Sequence, residues 1–335
     1  MPRRHSVFIV FAFILFNLPA ACSLAAAGSI QRDKLQADFT TLASSFDGCV
    51  GICVQDASGT VSLNGEQRFP LQSVMKLPVA ITVMDAVDRN QFRLDEPLVV
   101  HKEYLGVYVQ PIAKLVTADG YHTTVGEVLR RAMVDSDNAA ADILVKRLGG
   151  PSNIQAVLDR KKIAGVRFDR DEKHLQTEIL GLSWRPEYLD PDVFQKATNA
   201  VPETGREAAF RKYLADPRDT ATPIGMASLL QRLDAGQLLS KFSTKHLLDV
   251  MAACAIGTDR LKAGIPKDWK LAHKTGTSGS WKGDTAATND VGILTAPDGG
   301  HLSIVVFVAD SRATDKDRAA LIARVAKSVV ARYQD

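Results

Sequence analysis

Along the chain the spacing of hydrophobic positions changes twice. After the first 27 residues, Ile30, Leu35, Phe39, Leu42 and Phe46 recur near the helical period and predict an amphipathic helix over 30–46. Residues 48–56 read as a strand, Ala57-Ser58-Gly59 as a turn, and 60–63 as a short second strand. A helix is predicted to open near Ser73 and run to about Asp88. From about 90 to 257 the pattern is mostly helical, broken by Gly, Pro and Asp clusters. Helices are expected over 126–133, 138–148 and 224–233, and Gly149-Gly150-Pro151 is a strong stop. Strand character returns after Ile265-Pro266, over 269–274, 290–295 and 302–308, with Pro297-Asp298-Gly299-Gly300 joining the last two as a hairpin. Leu321, Ile322, Val325, Val329 and Val330 then mark a closing helix. Strands at both ends around a helical middle predict an α/β fold of the α+β sandwich kind. An antiparallel sheet domain, flanked by helices and built from 28–89 and 258–335, is interrupted by an all-α domain over 90–257. The boundary between two such lobes is a natural cleft.

The first 27 residues follow a different logic. Arg3 and Arg4 precede an apolar run from Val7 to Leu18, and Ala25-Ala26-Ala27 fits a cleavage pattern. The run is shorter than the ~20 residues of a spanning helix. Residues 1–27 are therefore expected to be a signal peptide, with the mature protein periplasmic or secreted and not stably inserted in a membrane. Cys22 fits a lipoprotein signal badly, because Pro19 stands three residues before it.

Composition narrows the function classes. Of 335 residues 46% are hydrophobic and 24% charged, which excludes disordered and fibrous chains. Lysine and arginine total 41 against 38 acidic residues, and the net charge of +3 is too small and too evenly spread to indicate a nucleic-acid or anionic-membrane partner. Without Cys22, Cys49, Cys53 and Cys254 remain, an odd number. Cys49 and Cys53 in one strand would stand ~13 Å apart, too far to bridge. They read as buried small hydrophobes. No disulfide framework and no metal-ligand spacing is visible, so neither metal nor cofactor is expected.

Three short motifs carry chemistry. Ser73-Val74-Met75-Lys76 places a lysine three residues after a serine at a helix start, on a shared face. A serine hydroxyl is a poor nucleophile until a neighbouring base takes its proton, and a desolvated lysine can do so. Ser136-Asp137-Asn138 precedes an apolar helix; alone it reads equally as a helix cap. Lys274-Thr275-Gly276 closes the 269–274 strand. The lysine and threonine suit a carboxylate, and the glycine would let a ligand approach the backbone. Each motif is within reach of chance. Together, in this order and each in the element its role requires, they are specific.

This constellation resembles the class A serine β-lactamases and the penicillin-binding proteins. His273-Lys274-Thr275-Gly276-Thr277-Ser278-Gly279, Ala287-Thr288-Asn289-Asp290 and Gln72 look like the extended-spectrum branch of class A. That class carries a glutamate in an Ω-loop, in the pattern R-x-E-x-x-L-N. Arg170-Asp171-Glu172-Lys173-His174-Leu175-Gln176 matches it except at the last position, where glutamine replaces asparagine. The resemblance implies a serine hydrolase that opens the β-lactam amide of penicillins and cephalosporins, acting as a monomer. By it Ser73 is the nucleophile, and the backbone N–H groups of Ser73 and Thr277 form an oxyanion hole. Lys76, or Glu172 through a water, takes the serine proton. Ser136 protonates the leaving nitrogen, and Asn138 binds the substrate's side-chain amide. Lys274 and Thr275 hold its carboxylate beside Gly276, and Glu172 activates the deacylating water. No arginine stands in 290–295 to back the carboxylate, and Arg260 matches the position from which some members supply it.

The chain departs from the resemblance in its Ω-loop, expected over 169–219. It runs 43 residues from Gln176 to Asp219, against the 6–16 or so of compact Ω-loops. Trp184, Tyr188, Phe194, Phe210 and Tyr213 within it predict that the insert packs. A D-alanyl-D-alanine peptidase shares the three motifs but lacks the glutamate. A non-catalytic β-lactam sensor would acylate and stay acylated.

Overall fold

In a strand successive side chains face opposite sides, and in the long strands here both sides are apolar. The computed structural model describes residues 28–334; the expected signal peptide and Cys22 lie outside them. One antiparallel sheet is formed by β1 (Cys49–Asp56), β2 (Gly59–Leu63), β3 (Lys270–Thr277), β4 (Thr288–Thr295) and β5 (His301–Ala309), in spatial order β2-β1-β5-β4-β3. In β5, Ile304, Val306 and Val308 enter one core, and Val305 and Phe307 the other. The first core is closed by α1 (Arg32–Ser44), through Leu35, Phe39 and Leu42, and by the C-terminal helix Asp315–Arg332, through Leu321, Ile322, Val325 and Val329.

The second core lies between the sheet and the helices of the central stretch. These are α2 (Lys76–Asp88), α3 (Val125–Val134), α4 (Asn138–Arg147), α5 (Pro151–Arg160), α6 (Glu172–Ile179), α7 (Pro191–Ala200), α8 (Glu203–Ala215), α9 (Pro223–Asp234) and α10 (Lys241–Ala252); of these α7 contributes no buried residue. Helix α2 is apolar on nearly all sides and buried from Lys76 to Ala86, as a central helix must be. Asp137 caps α4 by accepting the Ala140 N–H at 2.9 Å, and Gly150, at φ +99°, turns the chain into Pro151 at the first position of α5.

The boundaries at Ser73 and Lys274 differ from expectation in ways that shape the site. The segment opening at Ser73 is a 3₁₀ turn over Gln72–Met75, and α-helix begins only at Lys76. In a 3₁₀ turn residues i and i+3 eclipse, so Lys76 stands directly over Ser73. Strand β3 does not end at Lys274. Its pairing with β4 continues to Thr277 opposite Thr288, which keeps the whole third motif on the sheet edge.

The long loop is closed at its neck and folded beyond it. Val166 bridges to Ala221, the Arg167 N–H donates to the Thr220 carbonyl at 2.8 Å, and the Asp219 carboxylate accepts the N–H groups of Asp169 and Arg170 at 2.7 and 3.0 Å. Beyond the neck come α6, α7 and α8. Tyr188, Phe210 and Tyr213 are buried, Trp184 and Phe194 half-buried. Cys49, Cys53 and Cys254 are free thiols; only Cys53 is fully buried.

Candidate active site

Ser73 sits at a strained corner. Gln72 before it has φ +48°, a left-handed backbone that costs a non-glycine residue of the order of 1–3 kcal/mol. The surrounding chain holds it there: Asn289 on β4 donates its amide to the Pro70 and Leu71 carbonyls at 2.8 and 3.1 Å. Gly276 on β3 lies against the same turn, and a Cβ there would stand 2.4 Å from the Leu71 carbonyl oxygen. The close approach that this glycine permits is thus by the nucleophile's own backbone, where a ligand was expected.

The Lys76 ammonium is the hub of the site. Its Nζ lies 2.7 Å from Ser73 Oγ, 2.8 Å from Asn138 Oδ1 and 2.6 Å from Glu172 Oε1. The last contact is an ion pair off the hydrogen-bonding angle, since Glu172 Oε1 has no aligned donor. Lys76 and Glu172 are both buried, whereas Ser73 is half-exposed. The Asn138 Nδ2 group donates to the Val107 carbonyl at 3.2 Å.

Glu172 is fixed from several sides. Its N–H and that of Lys173 donate to the two Asp142 oxygens at 2.7 and 3.1 Å. Burial, with Asp171 and Glu172 nearby, pushes the Asp142 carboxyl well above its ordinary range. Gln176, one helical turn after Glu172 on α6 and so on the same face, donates its amide to Glu172 Oε2 and to Gln72 Oε1, both at 3.1 Å. Gln72 in turn donates to the Tyr213 hydroxyl at 2.6 Å. A side-chain chain thus runs from α8 of the insert through Gln72 and Gln176 to Glu172.

The second and third motifs meet across the cleft. Ser136, at φ +55°, presents Oγ to Lys274 Nζ at 2.9 Å, and the same ammonium donates to the Thr275 carbonyl at 2.9 Å. Its Asp137 neighbour is fully buried and accepts the Ile112 N–H at 2.6 Å. Lys274 is buried too. Burial, then the charge of Lys76, draws its pKa down to about 7. Behind β3, Arg260 donates to Thr277 Oγ1 at 2.6 Å and to the Asn289 carbonyl at 2.8 Å. Burial opposes the charge of His273, yet Asp290, 2.8 Å away, and Cys254 push its pKa up to about 10.

All the sequence-derived candidates therefore gather in one region: Ser73, Lys76, Ser136, Asn138, Glu172, Lys274, Thr275, Gly276, Thr277 and Arg260. The supporting groups Asp142 and Tyr213 carried no motif signal, because each acts only through a contact made by folding; Gln176 closes the Ω-loop motif, but its bonds to Glu172 and Gln72 are likewise made only by folding. Among the described residues no cluster suits a metal ion, and no helix is long and apolar enough to cross a membrane.

Comparison with known proteins adds an independent line. The profile of the beta-lactamase enzyme family matches residues 34–333. The chain is 28% identical to beta-lactamase VEB-1 of Pseudomonas aeruginosa, covering 89% of each chain. It is likewise 28% identical to the extended-spectrum beta-lactamase PER-1 of the same organism, over 90% of this chain and 87% of that one. A solved structure of an ancestral class A beta-lactamase of Gram-negative bacteria superposes with a TM-score of 0.72 at 31% identity, covering 89% of this chain and 99% of the other.

Proposed function

The chain belongs to the beta-lactamase enzyme family, as a class A serine enzyme that hydrolyses the β-lactam amide bond, and we propose how its residues divide that work. Ser73 Oγ attacks the lactam carbonyl carbon, and its proton passes to Lys76 or, through a water, to Glu172. The backbone N–H groups of Ser73 and Thr277 take the charge developing on the carbonyl oxygen. The C–N bond then breaks, and the ring nitrogen receives a proton from Ser136, which Lys274 can replenish at 2.9 Å. The substrate carboxylate lies against Lys274, Thr275 and Thr277 beside Gly276, with Arg260 behind; Asn138 receives the side-chain amide. In the second half Glu172, a carboxylate again once the serine proton has returned by way of solvent to Lys274, takes a proton from water, the water oxygen attacks the ester carbonyl, and Ser73 Oγ leaves with the proton that Glu172 hands back through Lys76.

The observation that carries this reading is the Lys76 ammonium, within 2.8 Å of the nucleophile, the base and Asn138 at once. A single proton-transfer junction thus serves both acylation and deacylation. Steady-state turnover of a chromogenic cephalosporin tests it. The wild type should turn over many equivalents, and Ser73→Ala should form no covalent adduct by intact mass. A stoichiometric burst without turnover, or an adduct in Ser73→Ala, overturns it. The enzyme is proposed to work as a monomer in the periplasm or outside the cell, where its substrates arrive, after loss of residues 1–27.

A further inference from the structure

The cavity that contains Ser73 extends well beyond the reacting groups. It has a volume of about 360 Å³, and one wall is built by the loop insert through Ile179, Leu180, Arg206 and Phe210, meeting Trp281. Beyond Gln176 the wall is apolar except for one cation. The Arg206 guanidinium lies 4.8 Å over the Trp281 ring, and no carboxylate among the described residues lies within ion-pair distance of it. Its acidic neighbours are already engaged. Glu203 pairs with Lys282, and Glu207 binds Arg211 at 3.0 Å and the Trp281 indole N–H at 2.6 Å. A half-buried arginine stacked on an aromatic face, with no anion of its own, keeps its planar fork of N–H donors available. Carboxylates match that fork in geometry and charge.

We propose that Arg206 forms a second anion-recognising site, which takes a carboxylate borne on the acyl side chain of the β-lactam. It is distinct from the nucleus-carboxylate position at Lys274, Thr275 and Arg260, since Arg206 projects from α8 and those residues stand on or behind β3. The apolar lining of Ile179, Leu180 and Phe210 packs the body of the side chain, and Arg206 reads its charged end. The site therefore selects β-lactams whose acyl group ends in a carboxylate over isosteres that end in an alkyl group. This rests on the β-lactamase reading above.

The test uses two cephalosporins with the same ring system and the same oxyimino acyl group, one with a carboxyalkyl oxime and one with a methyl oxime. The ratio of their kcat/KM values, acidic over neutral, is measured for wild type, Arg206→Gln and Arg206→Lys. Arg206→Gln is expected to lower the ratio about tenfold, chiefly through KM of the acidic substrate, and Arg206→Lys, which keeps the charge but not the planar fork, to lower it by less. An unchanged ratio in Arg206→Gln overturns the proposal. So does an equal fall in Arg206→Lys, which would make Arg206 a packing group for Trp281. Absence of turnover of either substrate by the wild type would instead remove the β-lactamase reading beneath it.

Discussion

Lys274 has two reasons to lose its proton, burial and the nearby Lys76, and together they draw its pKa down to about 7. Its charge is present below that value and lost above it. Binding of the substrate carboxylate to the free enzyme should therefore weaken as pH rises, and kcat/KM should fall through a midpoint of about 7. Arginine does not titrate in this range. A Lys274→Arg variant is expected to move the alkaline limb of the kcat/KM profile up by a unit or more; a limb that stays in place excludes Lys274 as its source. Gln176 gives a second prediction. It stands where the family pattern has asparagine, and its longer side chain still reaches Glu172 Oε2 at 3.1 Å because the two are one helical turn apart. Gln176→Leu should slow deacylation about tenfold, on the order of one charge-assisted hydrogen bond, and leave acylation less affected. Single-turnover kinetics with intact-mass readout separate the two steps, and equal slowing of both would count against a role specific to Glu172.

Elements, more than single side chains, set where these groups stand. The strand β3 and the turn at Ser73 are packed backbone to backbone at Gly276. A Gly276→Ala change must push the Leu71 carbonyl away from 2.4 Å. The expected cost is about 1–3 kcal/mol of stability, read as a lower urea midpoint, with a loss of acylation rate because the nucleophile's turn moves. The loop neck makes a comparable prediction. Asp219 accepts two backbone N–H groups and binds Arg170 Nε at 2.6 Å. Asp219→Ala would leave those donors without an acceptor in a buried place, at a cost of about 3 kcal/mol. Arg170 keeps its contacts to Glu178 and Asp216 at 2.6 and 3.3 Å, so the loop should loosen at its neck without unfolding the core. Hydrogen exchange should then rise over 166–221, and an unchanged urea midpoint would show that the neck adds nothing.

At the scale of the molecule, two distant stretches of chain share one sheet, and the helices between them complete the cleft. Much of this was legible in the sequence because it is local. The strands announced themselves as short apolar runs bounded by turn residues, the helix stop by Gly149-Gly150-Pro151, and the reacting groups by three motifs of fixed spacing. What was not legible depends on contacts made only after folding. Nothing about residue 213 says that its hydroxyl meets Gln72, 141 positions away. Nothing about Arg206 says that it will lie over Trp281 without an acid partner. The motif suggests room for a ligand at Gly276, and spacing alone does not reveal that the nucleophile's turn fills that room. The sequence suggests too early a strand end at Lys274 for a related reason. Strand length there is set by the pairing of Thr277 with Thr288, and the composition of β3 does not reveal it.

The central claim is that Glu172 lets water hydrolyse the ester formed on Ser73. Its most direct test is Glu172→Ala mixed with one chromogenic cephalosporin in a stopped-flow experiment, with the protein's intact mass followed in parallel. The expected result is a burst of one equivalent and a covalent adduct, persisting while deacylation runs at least about a hundredfold slower than in the wild type. Turnover at the wild-type rate with no accumulated adduct would contradict the account.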